Sequence, residues 1–263
     1  MSTSSILKNL NINSFKNKFV IITGASGVLG LSISNFFNKL GANLILIDRS
    51  HKKKIKPFMN NKVHYFKTDF TIQKQMENLV RNLNARYSKI DILINNASYT
   101  GSDKYWVKKF GKETMDDWDK VFKVSYQAAF YLSQGISNIL KNSNGRVINI
   151  GSIFGESVPN IKNYKGTKMC SPAAYSISKN SLIHLTKWLA VNMAPKVNVN
   201  MISPGGIKRN QAQIFKKKYL HKVPLNRMCS EEDIIGPIIF LSSNLSNYIT
   251  GHNLIVDGGY STI

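Results

Sequence analysis

Short apolar runs alternate along this chain with longer stretches in which apolar side chains recur every three or four positions. The first pattern predicts buried strands and the second predicts helices. Strands are expected at Phe19–Thr23, Asn43–Ile47, Val63–Phe66, Ile90–Ile94, Arg146–Ile150, Val197–Ile202 and Asn253–Val256. Between them, helices are expected from Val28 to Leu40 with Gly41 as the stop, from Ile72 to Tyr87, and from Ala173 to Val191. A long helical stretch from Met115 to Leu140 is expected to break near Gly135, and Ser230 caps a helix running to about Leu241 with acids in its first turn. Almost fully apolar strands separated by helices predict an α/β fold: a doubly wound parallel sheet of about seven strands with helices on both faces. Residues 1–17, rich in Ser, Asn and Lys, read as a loose N-terminal tail, and 18–263 as a single domain.

Composition adds exclusions. No stretch of the 263 residues has the roughly 20 apolar positions a membrane span needs, and the N-terminus has no apolar signal region. Cys170 and Cys229 are far apart, and His51, His64, His184, His221 and His252 are scattered, so neither a disulfide framework nor a metal site is expected. Reduced thiols suit a cytoplasmic location. The net charge of +22 admits a solvated basic surface, an anionic substrate or acidic partner, or nucleic acid. The basic runs Lys52–Lys54 and Lys216–Lys218 are short and not interleaved with several aromatics, so nucleic acid is not expected.

The chemistry sits at predicted strand ends. Thr23-Gly24-Ala25-Ser26-Gly27-Val28-Leu29-Gly30 joins the first strand to the first helix, where glycines and a helix N-terminus suit a pyrophosphate. Asp48, at the end of the second strand and 24 residues after Gly24, is placed to accept from a ribose 2′-hydroxyl. A carboxylate there repels a 2′-phosphate and favours NAD; the adjacent Arg49 keeps NADP open.

With these pieces in view, the chain resembles the short-chain dehydrogenase/reductase family, of Rossmann-type fold, over about residues 17–260. Its motifs come in the family's order: TGASGVLG at 23–30, Asp48, Asp69, NNA at 95–97, NIGS at 149–152, YSISK at 175–179, SPGG at 203–206 and ITGHNLIVDGG at 249–259. The resemblance implies an NAD(P) site at Thr23, Gly24, Ser26 to Gly30, Asp48, Arg49, Asp69, Phe70, Asn95, Ala97, Tyr175, Lys179, Pro204, Gly205 and Ile207. Asp69 would contact the adenine amino group, Asn95 and Ala97 would line the cofactor cleft, and Pro204-Gly205 would cover the nicotinamide. Thr250–Gly259 would sit near a subunit contact in a homotetramer or homodimer.

A Tyr and a Lys four apart share one helix face. The ammonium is expected to lower the tyrosine pKa from about 10, so that the phenol exchanges a proton while a nicotinamide carries the hydride. Tyr105/Lys109, Tyr164/Lys168 and Tyr175/Lys179 all have this spacing. Gly166 and Pro172 disfavour a helix through the second pair, and Tyr175 opens a long amphipathic helix, so Tyr175 and Lys179 are chosen. By resemblance Lys179 holds the nicotinamide ribose, and Ser152 orients the substrate oxygen. The gap between Ser152 and Tyr175 is about ten residues longer than usual. The added loop, around Asn160–Pro172, is expected either to wall the substrate pocket, with Lys162, Lys165 and Lys168 facing an anion, or to be a solvated surface loop.

Three positions depart from the family pattern. Val28 stands for the second glycine of the turn, Ser125 for an asparagine that helps relay protons, and Ser98 for a glycine. The long loop and Ser125, counted with the catalytic set, look like a subgroup acting on sugars or nucleotide sugars. The leading expectation is therefore hydride transfer on a sugar, sugar phosphate or nucleotide sugar with NAD. The alternatives are an NADPH-dependent 3-oxoacyl-[acyl-carrier-protein] reductase, suggested by the basic surface, and a non-catalytic binding protein on the same fold.

Overall fold

The computed structural model describes residues 15–50, 62–99 and 110–263. Seven strands form one parallel sheet: β1 Phe19–Thr23, β2 Asn43–Asp48, β3 Val63–Lys67, β4 Ile92–Asn95, β5 Arg146–Ile150, β6 Asn198–Pro204 and β7 Asn253–Val256. Their order is β3-β2-β1-β4-β5-β6-β7, so the direction of winding reverses between β1 and β4. The helices are α1 Val28–Lys39, α2 Gln73–Arg86, α3 Met115–Phe122, α4 Ala128–Gly135, α5 Ser137–Lys141, α6 Ile153–Glu156, α7 Ala173–Met193, α8 Gln213–Leu220 and α9 Glu231–Ser242. No helix among the described residues is long and apolar enough to cross a membrane.

Period-two alternation divides the core between the two faces of the sheet. Ile21 joins Leu79, Leu83, Leu132, Leu182 and Leu189 of α2, α4 and α7. Its neighbours Val20 and Ile22 join Ile33 and Phe37 of α1 and Ile234 and Ile238 of α9. Each such fully buried aliphatic contributes about 1.5–3 kcal/mol. Both faces of β1, β2 and β4 are covered, which explains why these strands read as almost unbroken apolar runs.

Several boundaries follow from local chemistry. Ser230 accepts from the Asp233 N–H while Asp233 accepts from the Ser230 N–H, a capping box that starts α9 as expected. Thr114 and Asp117 start α3 in the same way. The long stretch after Met115 breaks after Gly135, and a five-residue π-turn, Lys123–Gln127, also interrupts it. The expected tail over 1–17 falls mostly outside the described residues. Its last part is corrected: Phe15 is buried, edge-on to Phe37 at 5.4 Å, and the Asn17 N–H donates to Gly41 O, so the packed body begins before residue 18.

Candidate active site

The carboxyl ends of the strands open onto two cavities beside the winding reversal, where such sheets bind ligands. A smaller cavity, about 90 Å³, is lined by Gly24, Asp48, Arg49, Asp69, Phe70 and Ala97, with Tyr99 and Val124. A larger one, about 350 Å³, brings Leu29 and Asn96 together with Ser152, Tyr175, Lys179 and the turn Pro204–Ile207.

The turn between β1 and α1 is built for close approach. Gly24 has φ +64°, and a Cβ there would lie 2.9 Å from Ala97 Cα. A Cβ on Gly30 would lie 2.1 Å from the Gly24 carbonyl oxygen, so the helix meets the turn only with glycine at that position. Neither constraint falls on position 28. Val28 is the first residue of α1 and its side chain is 56% exposed. The departure from the family pattern therefore leaves the backbone of the turn intact and puts an isopropyl group at its mouth.

Asp48 is 9% exposed; its Oδ2 accepts from the Ser26 N–H at 2.9 Å and its Oδ1 from the Ser50 N–H at 2.8 Å. A carboxylate has about four lone-pair sites, so acceptor capacity remains towards the cavity. Arg49 is exposed and stands over the Tyr99 ring at 5.8 Å. Asp69 Oδ1 accepts from the Thr71 N–H and hydroxyl, fixing the entry to α2 beside Phe70. The glycine cradle, Asp48 and the free N–H groups that open a helix fit a dinucleotide.

Two expected cofactor residues take other roles. Thr23 is 2% exposed, and its hydroxyl accepts from the N–H groups of Asn96 and Ala97, tying β1 to the end of β4. Asn95 is also buried: its Nδ2 donates to Asn149 Oδ1 at 2.9 Å, and Asn149 Nδ2 donates to the Thr186 hydroxyl at 2.9 Å. The expectation that Asn95 lines the cleft is corrected. Asn96, one residue past the strand, lines the larger cavity and donates to the carbonyls of Thr23 and Gly24.

The candidate catalytic side chains converge from the end of β5 and from α7. Ser152 caps α6, its Oγ accepting from the Phe154 N–H at 3.1 Å, and it hydrogen-bonds the Tyr175 hydroxyl. A Cβ on Gly155 would lie 2.8 Å from the Lys179 carbonyl group, so this glycine lets α6 lie against α7 and sets Ser152 beside Tyr175. Lys179 is 2% exposed; its Nζ donates to Ile150 O at 2.8 Å and lies 5.8 Å from the centre of the Tyr175 ring. Burial lowers the Lys179 pKa to about 8. The Tyr175 pKa is raised, burial outweighing the Ser152 hydrogen bond. The expected depression of the tyrosine is thus reversed in the protein alone, because burial penalises both the phenolate and the ammonium.

Tyr164, the competing tyrosine, lies in a 3₁₀ turn with its ring on Phe215 at 5.2 Å, while Lys168 is exposed. Tyr105 and Lys109 lie outside the described residues. The loop of residues 157–172 lines neither cavity. It docks instead on α8, whose Lys218 Nζ donates to Lys165 O at 2.7 Å. The expectation that it walls the pocket is corrected to a supporting role: it backs the helix that holds the Pro204–Ile207 turn. Tyr219 of α8 accepts from the Gly206 N–H at 2.6 Å and stacks on Tyr260.

Ser125 is 2% exposed in the π-turn, with its Oγ 3.0 Å from Ser98 Oγ and accepting from the Tyr99 N–H at 3.1 Å. The two departures from the family pattern at 98 and 125 therefore form one contact. Arg209, which sequence reasoning passed over, also lines the larger cavity; the signal was its place five residues after Pro204.

Comparison with known proteins agrees with this fold. The family described as enoyl-(acyl carrier protein) reductase matches residues 24–261. A 3-oxoacyl-[acyl-carrier-protein] reductase of Buchnera aphidicola is 33% identical, over 92% of this chain and 96% of its own. Post-translational flagellin modification protein A of Campylobacter coli is 30% identical, over 93% and 98%. Among solved structures, a short-chain dehydrogenase of Leptospira borgpetersenii with bound NAD+ superposes with a TM-score of 0.84 at 33% identity, covering 95% of each chain.

Proposed function

We propose, from the premise that this chain belongs to the short-chain dehydrogenase/reductase family, that it reduces a 3-oxoacyl thioester borne on an acidic carrier, with NADH as the reductant. The coarser activity follows from the family: the protein is an NAD(P)-dependent oxidoreductase acting on a CH–OH group and the matching ketone. The observation that carries the finer proposal is charge. Among the described residues, the larger cavity is lined by Lys179 and Arg209 and by no Asp or Glu. Residues 205–229, which begin in its wall, hold seven Lys or Arg and no acid, and the 157–172 loop docked on them holds three lysines and no acid. Such a surface attracts an acidic carrier, and the Buchnera relative is named for a carrier-bound substrate. Asp48 supports NADH over NADPH.

When bound, the nicotinamide supplies the hydride. The Tyr175 hydroxyl gives its proton to the ketone oxygen, which also accepts from Ser152. Its raised pKa keeps the phenol protonated at neutral pH, as a proton donor requires. Lys179, still charged below about pH 8, stabilises the phenolate left behind.

A second reading, a sugar or nucleotide-sugar substrate, is favoured by the long loop before Tyr175, by Ser125 and by the same Asp48. One assay separates the two. Acetoacetyl thioesters on a carrier protein and on coenzyme A, and a panel of sugars and sugar nucleotides, are each mixed with NADH or NAD+. Consumption of NADH with the carrier thioester supports the first proposal. A change with sugars alone overturns it in favour of the second.

A further inference from the structure

Arg209, in the wall of the larger cavity, takes no part in the hydride and proton transfer described above. Resting on the dinucleotide reading above, we propose that Arg209 is the counter-charge for the pyrophosphate, holding it from the turn after β6 that shares a cavity with Leu29.

A pyrophosphate brings about two negative charges, whereas a helix N-terminus offers the equivalent of about +0.5. The glycine-rich turn has few donors to spare. The Ala25 N–H donates to Ile47 O, the Ser26 N–H to Asp48 and the Gly27 N–H to Gly24 O. The first-turn N–H groups of Val28, Leu29 and Gly30 remain, and the exposed Val28 side chain stands beside them. The other cations of the two cavities are engaged elsewhere. Lys179 is committed to Ile150 O behind Tyr175, and Arg49 lies over Tyr99 in the smaller cavity.

Arg209 is held ready on a stiffened turn. Its N–H donates to Gln211 Oε1 at 2.7 Å, and Gln211 Nε2 donates to Ile207 O at 2.8 Å. Its Nη1 pairs with Glu231 Oε1 at 2.6 Å and donates to Lys208 O at 2.6 Å. Its Nε and Nη2 have no acceptor among the described residues, leaving one edge of the fork for a bidentate contact with phosphate oxygens. Glu231 orients the guanidinium and also competes for it.

The test is calorimetric titration with NADH and, separately, with ADP-ribose, which keeps the pyrophosphate and lacks the nicotinamide. Wild type, Arg209→Gln and Glu231→Gln are compared at low and high salt. Arg209→Gln is expected to weaken both ligands by about ten- to a hundredfold and to flatten the salt dependence. Glu231→Gln is expected to bind both at least as tightly as wild type. Unchanged binding in Arg209→Gln would overturn the inference and turn Arg209 towards the substrate. Equal weakening in both variants would also overturn it, making the pair a structural clamp. If wild type binds neither ligand, the dinucleotide reading itself falls, and the inference with it.

Discussion

Below the amino ends of the strands lies a cavity of about 330 Å³ lined by Lys18, Asp91, Arg146 and Ser242, nearly the size of the candidate catalytic cavity above their carboxyl ends. Each end also buries a cation whose pKa is lowered by burial, Arg146 below and Lys179 above. The difference lies in how each is held. Arg146 donates to the carbonyls of Asn144 and Gly145 and to the side chains of Asn198 and Asn247. Lys18 pairs with Asp91 at 2.8 Å, and Asp91 also accepts from the Phe19 N–H. A guanidinium keeps its proton at any accessible pH, so this end is riveted. Lys179 has one carbonyl partner and a pKa of about 8, beside a tyrosine and a serine that face an open cavity. Neither volume nor buried charge marks the site; a cation able to titrate beside a proton donor does.

The largest effect that would sharpen this contrast is expected at the carboxyl end. Tyr175→Phe removes the proton donor and should cut turnover by about a thousandfold, or ~4 kcal/mol of barrier, while NADH binding is retained. Steady-state kinetics together with a binding titration check this; near-normal turnover would remove Tyr175 from the chemistry. At the other end, Arg146→Met leaves Asn198 and Asn247 without their donor and should cost about 2–3 kcal/mol of stability in urea unfolding. NADH affinity should not move; a binding defect with unchanged stability would invert the comparison.

Lys179 predicts a dependence on pH. Its folded pKa of about 8 lies below the unfolded value of about 10.4, so between those values the unfolded chain holds the extra proton. Stability of the wild type relative to Lys179→Met should therefore rise from pH 8 to about 10.4, by at most about 3 kcal/mol, and be flat below pH 7. Thermal melts across that range are the check; a difference independent of pH would mean that the ammonium is not buried at cost. Ser125→Ala should have the smallest effect, about 1 kcal/mol of stability from the lost contacts to Ser98 and Tyr99. A large fall in turnover at unchanged stability would place Ser125 in the proton relay instead.

Legibility in the sequence followed the range of the forces involved. The strands and α9 were readable because unbroken apolar runs and a Ser-to-Asp capping box are local signals. Helix α8 was not readable: its sequence, QIFKKKYL, offers only Phe215 and Tyr219 as buried anchors. It stands because Phe215 meets Tyr164, and Tyr219 stacks on Tyr260 at 4.7 Å, contacts made at long range. The Ser98–Ser125 contact was hidden for the same reason: each residue looks like an isolated departure until the π-turn brings them together. At the end of β4 the motif named the right tripeptide, yet the inward course of the strand buries Asn95 and leaves Asn96 to face the cavity. The tyrosine pKa went the wrong way because spacing reports the neighbouring ammonium and is silent about desolvation.

The central claim is that the carboxyl-end cleft holds NAD(H) through Asp48. Its most direct test is fluorescence titration of NADH and NADPH into wild type, Asp48→Ala and Arg146→Met. We expect wild type to prefer NADH, Asp48→Ala to lose that preference by about tenfold or more, and Arg146→Met to bind as wild type does. Binding of neither nucleotide by wild type, or an unchanged preference in Asp48→Ala, would contradict the account.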